Sequence, residues 1–323
     1  MPSSYVSSQL LLALFVSLSS SLIPSFLMRG ASLDQRAPRS LSGLEELSGL
    51  TATQLGEGGS RAVFWAHNDS GHSAEVVALS SSGERLLTVR LPLELTDLED
   101  IDAAPCPARL GRSNTCLWLA DVGDNSGRRE EVRVIAFPAP TALASGSAAE
   151  RGSVSIARDQ LVSFTLRYPH GARPNVEALV MSAGGEALWL FEKTDAPEAR
   201  VWRGSTSLDE RLEPQLLELH STLSLPRDQG EGERLYRITG ADISDDHERL
   251  ALRTYGAVYI YEGEEPSGPE SLLRGAPRRL SISQSLEPQG EAVVFDHSGR
   301  GLWTASELRG QVTQRLRYTP LSL

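Results

Sequence analysis

The chain has 323 residues, of which 40% are hydrophobic, so it can bury a large core as one big all-β domain or as two smaller domains. Its 31 basic and 42 acidic residues give a formal net charge of −11, and no cluster of Lys or Arg stands out. Because a nucleic-acid backbone attracts a basic surface, this charge argues against a nucleic-acid partner and favours a cation or a small polar ligand.

The N-terminal residues have the composition of an export signal. Residues 9–28 are apolar and uncharged, are interrupted by serines and Pro24, and precede a polar stretch that starts at Arg29. The segment lacks basic residues before its apolar part and a clean Ala-x-Ala site, so an uncleaved anchor stays open beside a cleaved signal peptide. We assign residues 1–30 to this segment and residues 31–323 to one domain. We expect a secreted or periplasmic monomer that contacts a membrane only through this segment, if it is uncleaved.

The two cysteines, Cys106 and Cys116, flank a loop that is rich in turn residues. In an exported protein such a pair indicates a disulfide that closes a hairpin, whereas two free thiols would be expected in the cytosol.

Past residue 40 the chain repeats a pair of short strands. In each repeat an acidic residue or a serine precedes or interrupts an apolar strand, and a second, more apolar strand then ends in polar residues. Turns with Gly, Asp or Asn join several pairs, as in hairpins, and helical periodicity is nearly absent. Four of the second strands carry a tryptophan, which inter-blade packing explains. These tryptophans are Trp65, Trp118, Trp189 and Trp303.

The spacing of the repeats predicts a five-bladed β-propeller. The equivalent first-strand residues lie 51, 78, 65 and 49 residues apart, which suits four-stranded units with variable loops. Six blades are the alternative, if the interval of 78 residues hides a degenerate unit. Only 32 residues follow Glu291, enough for three strands, so the last blade is expected to take its outer strand from residues 31–44 and close the ring. The equivalent residues are Ser48, Glu99, Glu177, Asp242 and Glu291.

These five residues are predicted to surround the channel axis, because the first strand of each propeller blade lines the channel. Four buried carboxylates repel one another and lose their hydration, so a cation or protons must neutralise them. Oxygen ligands without His or Cys favour Ca²⁺. The alternative is that each acid accepts hydrogen bonds from backbone amides of the neighbouring blade.

The polar ends of the second strands are predicted to gather at one mouth of the channel. Lys193 stands among them and is the only lysine among 31 basic residues. Its compact ammonium group suits a point contact with a phosphate or carboxylate, or proton transfer. The candidate catalytic residues are Asp69, Asp124, Lys193, Arg253 and Glu307, and the candidate ligand-binding residues are His67, Asn68, Asn125 and Thr254.

The first-strand motifs resemble two propeller families. Glu-Leu-Ser-Gly-Leu in the first repeat and Glu-Ala or Glu-Asp motifs in later ones are similar to the five-bladed calcium-activated nucleotidases (apyrases), in which Ser and Glu hold a central Ca²⁺. They also resemble the esterase-like phytases. The chain departs from apyrases in having Asp242 in place of a Ser and in lacking their nucleotide-contact motifs.

The closest likeness is to uncharacterised exported bacterial propeller proteins, and it lies in a series of motifs rather than in any single one. It covers residues 44–307. The motifs occupy residues 65–71, 97–101, 121–125, 175–179, 239–243, 252–255 and 290–292.

Two functions follow from these expectations. The first is Ca²⁺-dependent hydrolysis of phosphoesters or phosphoanhydrides at the channel mouth. The second is a non-catalytic propeller that has a structural ion and binds a small anionic or polar ligand or a partner. No G-x-S-x-G, Walker A or H-E-x-x-H motif occurs, which excludes serine hydrolases of that type, P-loop proteins and zincins.

Overall fold

A computed structural model describes residues 41, 43–55, 61–112, 114–140, 152–206, 214–309 and 315–321. Its strands form five sheets, which we number as blades 1 to 5. Blade 1 contains β1 (Leu47–Leu55), β2 (Arg61–Asn68), β3 (Glu75–Leu79), β4 (Arg85–Arg90) and β8 (Ser153–Ser155). Blade 2 contains β5 (Leu98–Pro105), β6 (Thr115–Asp121), β7 (Val132–Pro138), β9 (Val162–Arg167) and β13 (Gln215–Leu216).

The last three blades are simpler. Blade 3 contains β10 (Val176–Met181), β11 (Ala187–Glu192), β12 (Ala199–Ser205) and β14 (Glu218–Leu223). Blade 4 contains β15 (Ile238–Ile243), β16 (Arg249–Thr254), β17 (Ala257–Glu262) and β18 (Arg278–Ser281). Blade 5 contains β19 (Gly290–Phe295), β20 (Gly301–Ser306) and β21 (Arg317–Pro320). The described helices are α1 (Pro269–Leu272) and 3₁₀ turns at Ala108–Leu110, Arg158–Gln160, Pro169–Gly171 and Glu233–Tyr236.

The blades close into a ring. Each inner strand packs against the inner strand of the next blade, and β19 returns to β1. The five-bladed β-propeller predicted from the sequence is therefore confirmed, and the six-bladed alternative is wrong. The long second interval holds no hidden blade, because its additional strand β8 leaves blade 2 and pairs in parallel with β4 of blade 1.

Apolar side chains between the blades form the core. Trp65, Trp118 and Trp189 are at most 2% exposed, and Trp118 lies in one buried cluster with Val176 and Leu188 of blade 3. Trp303 is partly exposed and contacts Phe64 and Tyr318. Alternating large apolar residues on the second strands thus fill the spaces between neighbouring sheets, as expected for stacked blades.

The closure of the ring involves the residues just before β1. Leu41 and Leu44 are buried in one cluster with Ala292 and Ala305 of blade 5, and the Leu308 amide donates to the Glu45 carbonyl at 2.9 Å. The outer strand predicted for blade 5 falls on residues 31–44, nearly all of which lie outside the described residues.

The predicted disulfide between Cys106 and Cys116 is confirmed. It joins the end of β5 to β6, and such bonds persist in oxidising compartments, which indicates an exported protein. The predicted signal or anchor at residues 1–30 lies outside the described residues. In the part of the chain that the structure describes, no helix has the length and apolar character needed to span a bilayer.

Candidate cation and ligand site at the channel mouth

Each inner strand has an irregularity near its start. Its register against the second strand shifts there, in blade 2 for example between Leu98 and Asp100. Such a β-bulge leaves a residue without a partner on the facing strand and re-aims its side chain. The residues at the shifts are Ser48, Glu99, Glu177, Thr239 and Glu291. We call this end of the channel the bulge mouth. Four of the five ring residues predicted from the sequence occupy it.

The predicted place of Asp242 in this ring is wrong. Asp242 pairs with Ala251 in the same way that Asp102 pairs with Trp118, and both aspartates lie three residues beyond the bulge of their strand. Asp242 Oδ2 accepts a hydrogen bond from the Phe295 amide of the next blade at 2.7 Å. For this residue the alternative interpretation, a hydrogen bond to the neighbouring backbone, describes the structure.

Hydroxyl groups occupy the bulge in two blades. The Thr239 hydroxyl donates to the Gly290 carbonyl at 2.8 Å, and the Ser48 hydroxyl donates to the Glu99 carbonyl at 2.6 Å. Each hydroxyl thus ties its inner strand to the next blade. The acidic residues at the bulges themselves therefore come from blades 2, 3 and 5.

The three ring glutamates are buried and only partly satisfied. Glu99, Glu177 and Glu291 are 2%, 3% and 3% exposed. Glu99 Oε1 and both carboxylate oxygens of Glu291 have no hydrogen-bond partner among the described residues. The nearby Gln289 side chain acts in the opposite direction to burial and lowers the pKa of Glu291. Burial, followed by the charge of Glu177, raises the pKa of Glu99 and of Glu291 well above the usual range.

Lys193 lies inside this ring of glutamates. Its Nζ forms an ion pair with Glu177 Oε2 and lies 5.2 Å from the centre of the Tyr255 ring, and Asn175 donates to Glu177 Oε1 at 2.9 Å. Burial alone would lower the pKa of Lys193, but the charges of Glu177 and Glu291 raise it above its ordinary value. The one lysine is therefore a charged, 13% exposed partner of buried carboxylates.

Three acidic residues at this mouth come close enough to share an ion. One carboxylate oxygen each from Asp69, Asp97 and Glu99 lies within 4.8 Å of the others, and no second group of three His, Cys, Asp or Glu does so in the described part of the chain. A Cβ on Gly123 would lie 1.9 Å from Glu99 Oε1, so a larger residue there would displace the carboxylates of this cluster. Burial, followed by the charge of Asp69, raises the pKa of Asp97.

Asp97 is not among the site residues predicted from the sequence. The signal was present, because Asp97 stands two residues before Glu99 in the motif Asp-Leu-Glu-Asp-Ile. Its position just before β5 placed it outside the strand pattern on which the other candidates were chosen.

The loop after β6 uses its polar residues to hold its own shape. Asp124 accepts hydrogen bonds from the amides of Arg128 and Arg129, both at 2.8 Å, and both of its oxygens are engaged. Asn125 is exposed and accepts from the Asn175 side chain at 3.2 Å. Asp124, predicted as catalytic, therefore serves as the anchor of a turn.

Two further predicted catalytic residues also have partners within the protein. Arg253 is fully buried, donates to Glu287 at 2.7 Å and runs so close to Gly290 that a Cβ there would lie 1.5 Å from Nη2. Burial lowers the pKa of Arg253. Glu307 accepts from Arg309 Nε at 2.8 Å. Arg253 thus lies behind the mouth rather than on its surface.

The remaining predicted ligand-binding residues support the strand ends. His67 is fully buried with Nδ1 3.0 Å from the Asn68 carbonyl, and burial lowers its pKa to about 4, so its ring is neutral at pH 7. The Asn68 side chain donates to the Gly43 carbonyl at 2.8 Å. The Thr254 hydroxyl bonds to the backbone of Ala257 within a hairpin. Among the candidates at the strand ends, Asp69 belongs to the cluster with Asp97 and Glu99, and Lys193 forms an ion pair with Glu177 beside it.

Comparisons with known proteins give similarity in fold alone. No protein-family profile and no curated protein matches the chain. Among solved structures, the PQQ-bound aldose sugar dehydrogenase of Streptomyces coelicolor is 10% identical over 87% of this chain and 96% of its own, with a TM-score of 0.45. The β-propeller domain of Cps50 (Swd1) from Myceliophteria thermophila is 12% identical over 85% of this chain and 84% of its own, with a TM-score of 0.38. Both similarities are too distant to indicate a function, and the resemblance to apyrases and phytases stays a prediction.

Proposed function

We propose that the protein is an exported β-propeller that binds one divalent cation, Ca²⁺, at the bulge mouth and presents it to a small anionic ligand. The metal ligands within the protein are Asp69, Asp97 and Glu99, and Glu177 and Glu291 complete the negative field around them. Ser48, predicted as a ligand, directs its hydroxyl to the next blade instead.

The observation that carries the proposal is a set of buried carboxylate oxygens without donors. Glu99 and Glu291 together leave three such oxygens. A buried ionised carboxylate without a partner costs several kcal/mol, so the site needs either protons or a cation. The three ring glutamates face one ammonium group, that of Lys193, and Asp69 and Asp97 add further carboxylates, so a divalent ion would offset part of the negative excess.

The donor set favours Ca²⁺ over softer metals. The clustered ligand atoms are all carboxylate oxygens, and both cysteines are in the disulfide. Ca²⁺ takes about 6–8 oxygen ligands, so three protein carboxylates leave positions for water or for oxygens of a bound anion. These open coordination positions are the reason why we expect an anionic ligand at the same mouth.

Hydrolysis of phosphoesters or phosphoanhydrides is the second candidate. A bound cation would polarise a phosphoryl oxygen and lower the pKa of a coordinated water. Asp69 is half-buried and could orient that water, and the ammonium group of Lys193 could hold a second phosphoryl oxygen. We rank ligand binding first, because Asp124 and Glu307 are engaged with the protein's own groups and Arg253 is fully buried.

Calorimetric titration of Ca²⁺ into the metal-free full-length protein tests the proposal. We expect one bound ion per chain in the wild type, no binding to Glu99→Gln, and unchanged binding to Glu130→Gln, which alters an acid on an exposed loop. Absence of binding to the wild type, or equal binding to Glu99→Gln, would contradict the proposal. Hydrolysis of phosphomonoesters, nucleotides and phytate, measured with and without chelator, then decides between the two candidates.

A further inference from the structure

The opposite end of the channel holds a second polar cavity. We call this end of the channel the far mouth. It is the end at which the inner strands finish and turn into their hairpins. The cavity has a volume of about 100 Å³, or roughly three water molecules at ~30 Å³ each. Its polar lining residues include Thr51, Asp102, Asp242, Asp245, His247 and His297.

Asp242 is the buried and incompletely bonded acid of this cavity. Its side chain is 6% exposed, and its single hydrogen bond runs from the Phe295 amide to Oδ2, so Oδ1 has no partner in the described part of the chain. Asp102 differs, because Oδ1 accepts from the Ala103 amide and Oδ2 from the Met181 amide. Burial, followed by the charge of Asp102, raises the pKa of Asp242. The Oδ1 atom of Asp242 is therefore available to accept a hydrogen bond from a guest in the cavity.

The lining of the cavity is acidic. No Lys or Arg is among the residues that line it. Burial lowers the pKa of His247, so this ring is neutral at pH 7. His297 faces Asp245 through Nδ1, which leaves Asp102 and Asp242 without a basic partner. A positively charged guest therefore fits this lining.

A larger groove continues from the cavity. It has a volume of about 880 Å³ and shares Gln54, Ala103, Asp245 and His297 with the cavity lining. Its further walls include apolar residues of blade 2 and of the strand that crosses to blade 1, namely Pro138, Ala139, Pro140, Val154 and Ile156. An acidic cavity beside a groove with an apolar wall suits a ligand with one charged end and an apolar chain.

The guest is an organic cation rather than a metal ion. The far mouth does not bring three His, Cys, Asp or Glu ligand atoms within 4.8 Å, whereas the bulge mouth does, among the residues that the structure describes. An ammonium group has three N–H donors, and it can bond to separated carboxylates without the tight convergence that a metal needs.

We infer that the far mouth binds a primary alkylammonium ion, whose ammonium group enters the cavity and donates to Asp242 Oδ1 and whose apolar chain lies in the groove. This site is independent of the cation proposed at the bulge mouth. A free alkylamine and the side chain of a protein lysine share this chemistry.

Calorimetric titration of n-hexylamine into the full-length protein tests the inference. The titration is made at about pH 8, where an amine with a pKa near 10.4 is charged. We expect the wild type to bind hexylamine and the uncharged hexan-1-ol to bind at least tenfold more weakly. The near-isosteric Asp242→Asn keeps an oxygen for the Phe295 amide but loses the charge, and we expect a loss of affinity of at least tenfold, or about 1.4 kcal/mol.

Glu99→Gln is the matched control, because it removes an acid from the other mouth. We expect it to bind hexylamine like the wild type. A melting curve shows whether Asp242→Asn is folded. If it is not, Asp245→Asn serves as a second far-mouth variant, for which we expect a smaller loss of affinity for hexylamine. The inference is overturned if the wild type does not bind hexylamine, if hexan-1-ol binds equally well, if the folded far-mouth variants bind like the wild type, or if Glu99→Gln also loses binding.

A second probe distinguishes the two sources of the ammonium group. Nα-acetyl-lysine N-methylamide carries the same alkylammonium chain on a peptide backbone. Tighter binding of this probe than of hexylamine would assign the site to a lysine of a partner protein, and tighter binding of hexylamine would assign it to a free amine.

Discussion

Replacing Lys193 with Met tests the electrostatic balance of the bulge mouth. Met keeps the length and apolar stem of the side chain but removes the charge that neutralises Glu177. Glu177 is 3% exposed, and Glu291, which also faces the ammonium group, is 3% exposed. Breaking a buried ion pair by removing one partner costs about 3–5 kcal/mol, because the remaining charge stays desolvated. The lysine side chain retains 13% exposure, so we expect a loss near the lower end, about 3 kcal/mol.

Urea unfolding of the metal-free protein measures this loss. The double variant Lys193→Met with Glu177→Gln removes both charges, and Gln keeps an oxygen for the Asn175 amide, so we expect it to recover most of the stability. Arg167→Met is the matched control, because Arg167 and Glu131 form an ion pair that is 52% and 42% exposed. Exposed pairs contribute roughly 0–1 kcal/mol.

Two results would refute this account of Lys193. One is a Lys193→Met variant that is destabilised no more than Arg167→Met. The other is a double variant that is as unstable as the single one, since the loss would then come from packing rather than from an unpaired carboxylate. Added Ca²⁺ gives a further readout: the single variant has a larger negative excess, so Ca²⁺ is expected to stabilise it more than the wild type.

Three other predictions concern stability. Burial raises the pKa of Asp102 to about 6 from the 3.8 of an unfolded chain, so its contribution to stability is complete below about pH 4 and is lost as the pH rises through 6. At ~1.36 kcal/mol per unit, the wild type should lose about 2 kcal/mol more than Asp102→Asn between pH 4 and pH 8 in urea unfolding, and parallel pH profiles would contradict this. Trp118→Ala should cost about 3–5 kcal/mol and the partly exposed Trp303→Ala clearly less, and equal losses would argue against inter-blade packing of Trp118. Replacing Cys106 and Cys116 by Ala opens a short loop with a sequence separation of 10 and should lower the unfolding free energy by about 2–3 kcal/mol, whereas an unchanged midpoint would show that the disulfide is dispensable.

The fold was predictable because the repeat is periodic in sequence. Each blade repeats an inner strand and an apolar second strand, and tryptophans such as Trp118 recur at the position that packs between sheets. The number of blades was uncertain only across the interval of 78 residues between Glu99 and Glu177. There the chain crosses back to an earlier blade through β8, and a parallel pairing with a distant strand leaves no local pattern.

The candidate site was predictable only in part. Glu99, Glu177 and Glu291 follow from one acid per repeat, but the place of Asp242 was misjudged, because blade 4 has Thr239 at the bulge and its acid three residues later, at the position equivalent to Asp102. The partner of Arg253 is Glu287, 34 residues away, so its burial could not be seen in its own strand. Local motifs therefore identified residues of the right chemistry, and long-range packing decided which of them reach the channel.

The bulges also allow residues of the bulge mouth to be substituted without altering the pairing of the strands. Because a bulged residue has no directly paired neighbour on the second strand, exchanging it does not change the ladder of hydrogen bonds on either side. Blades 1 and 4 already carry hydroxyls there, where blades 2, 3 and 5 carry carboxylates. A scaffold of this kind can acquire a new guest through a handful of point substitutions while its architecture stays constant.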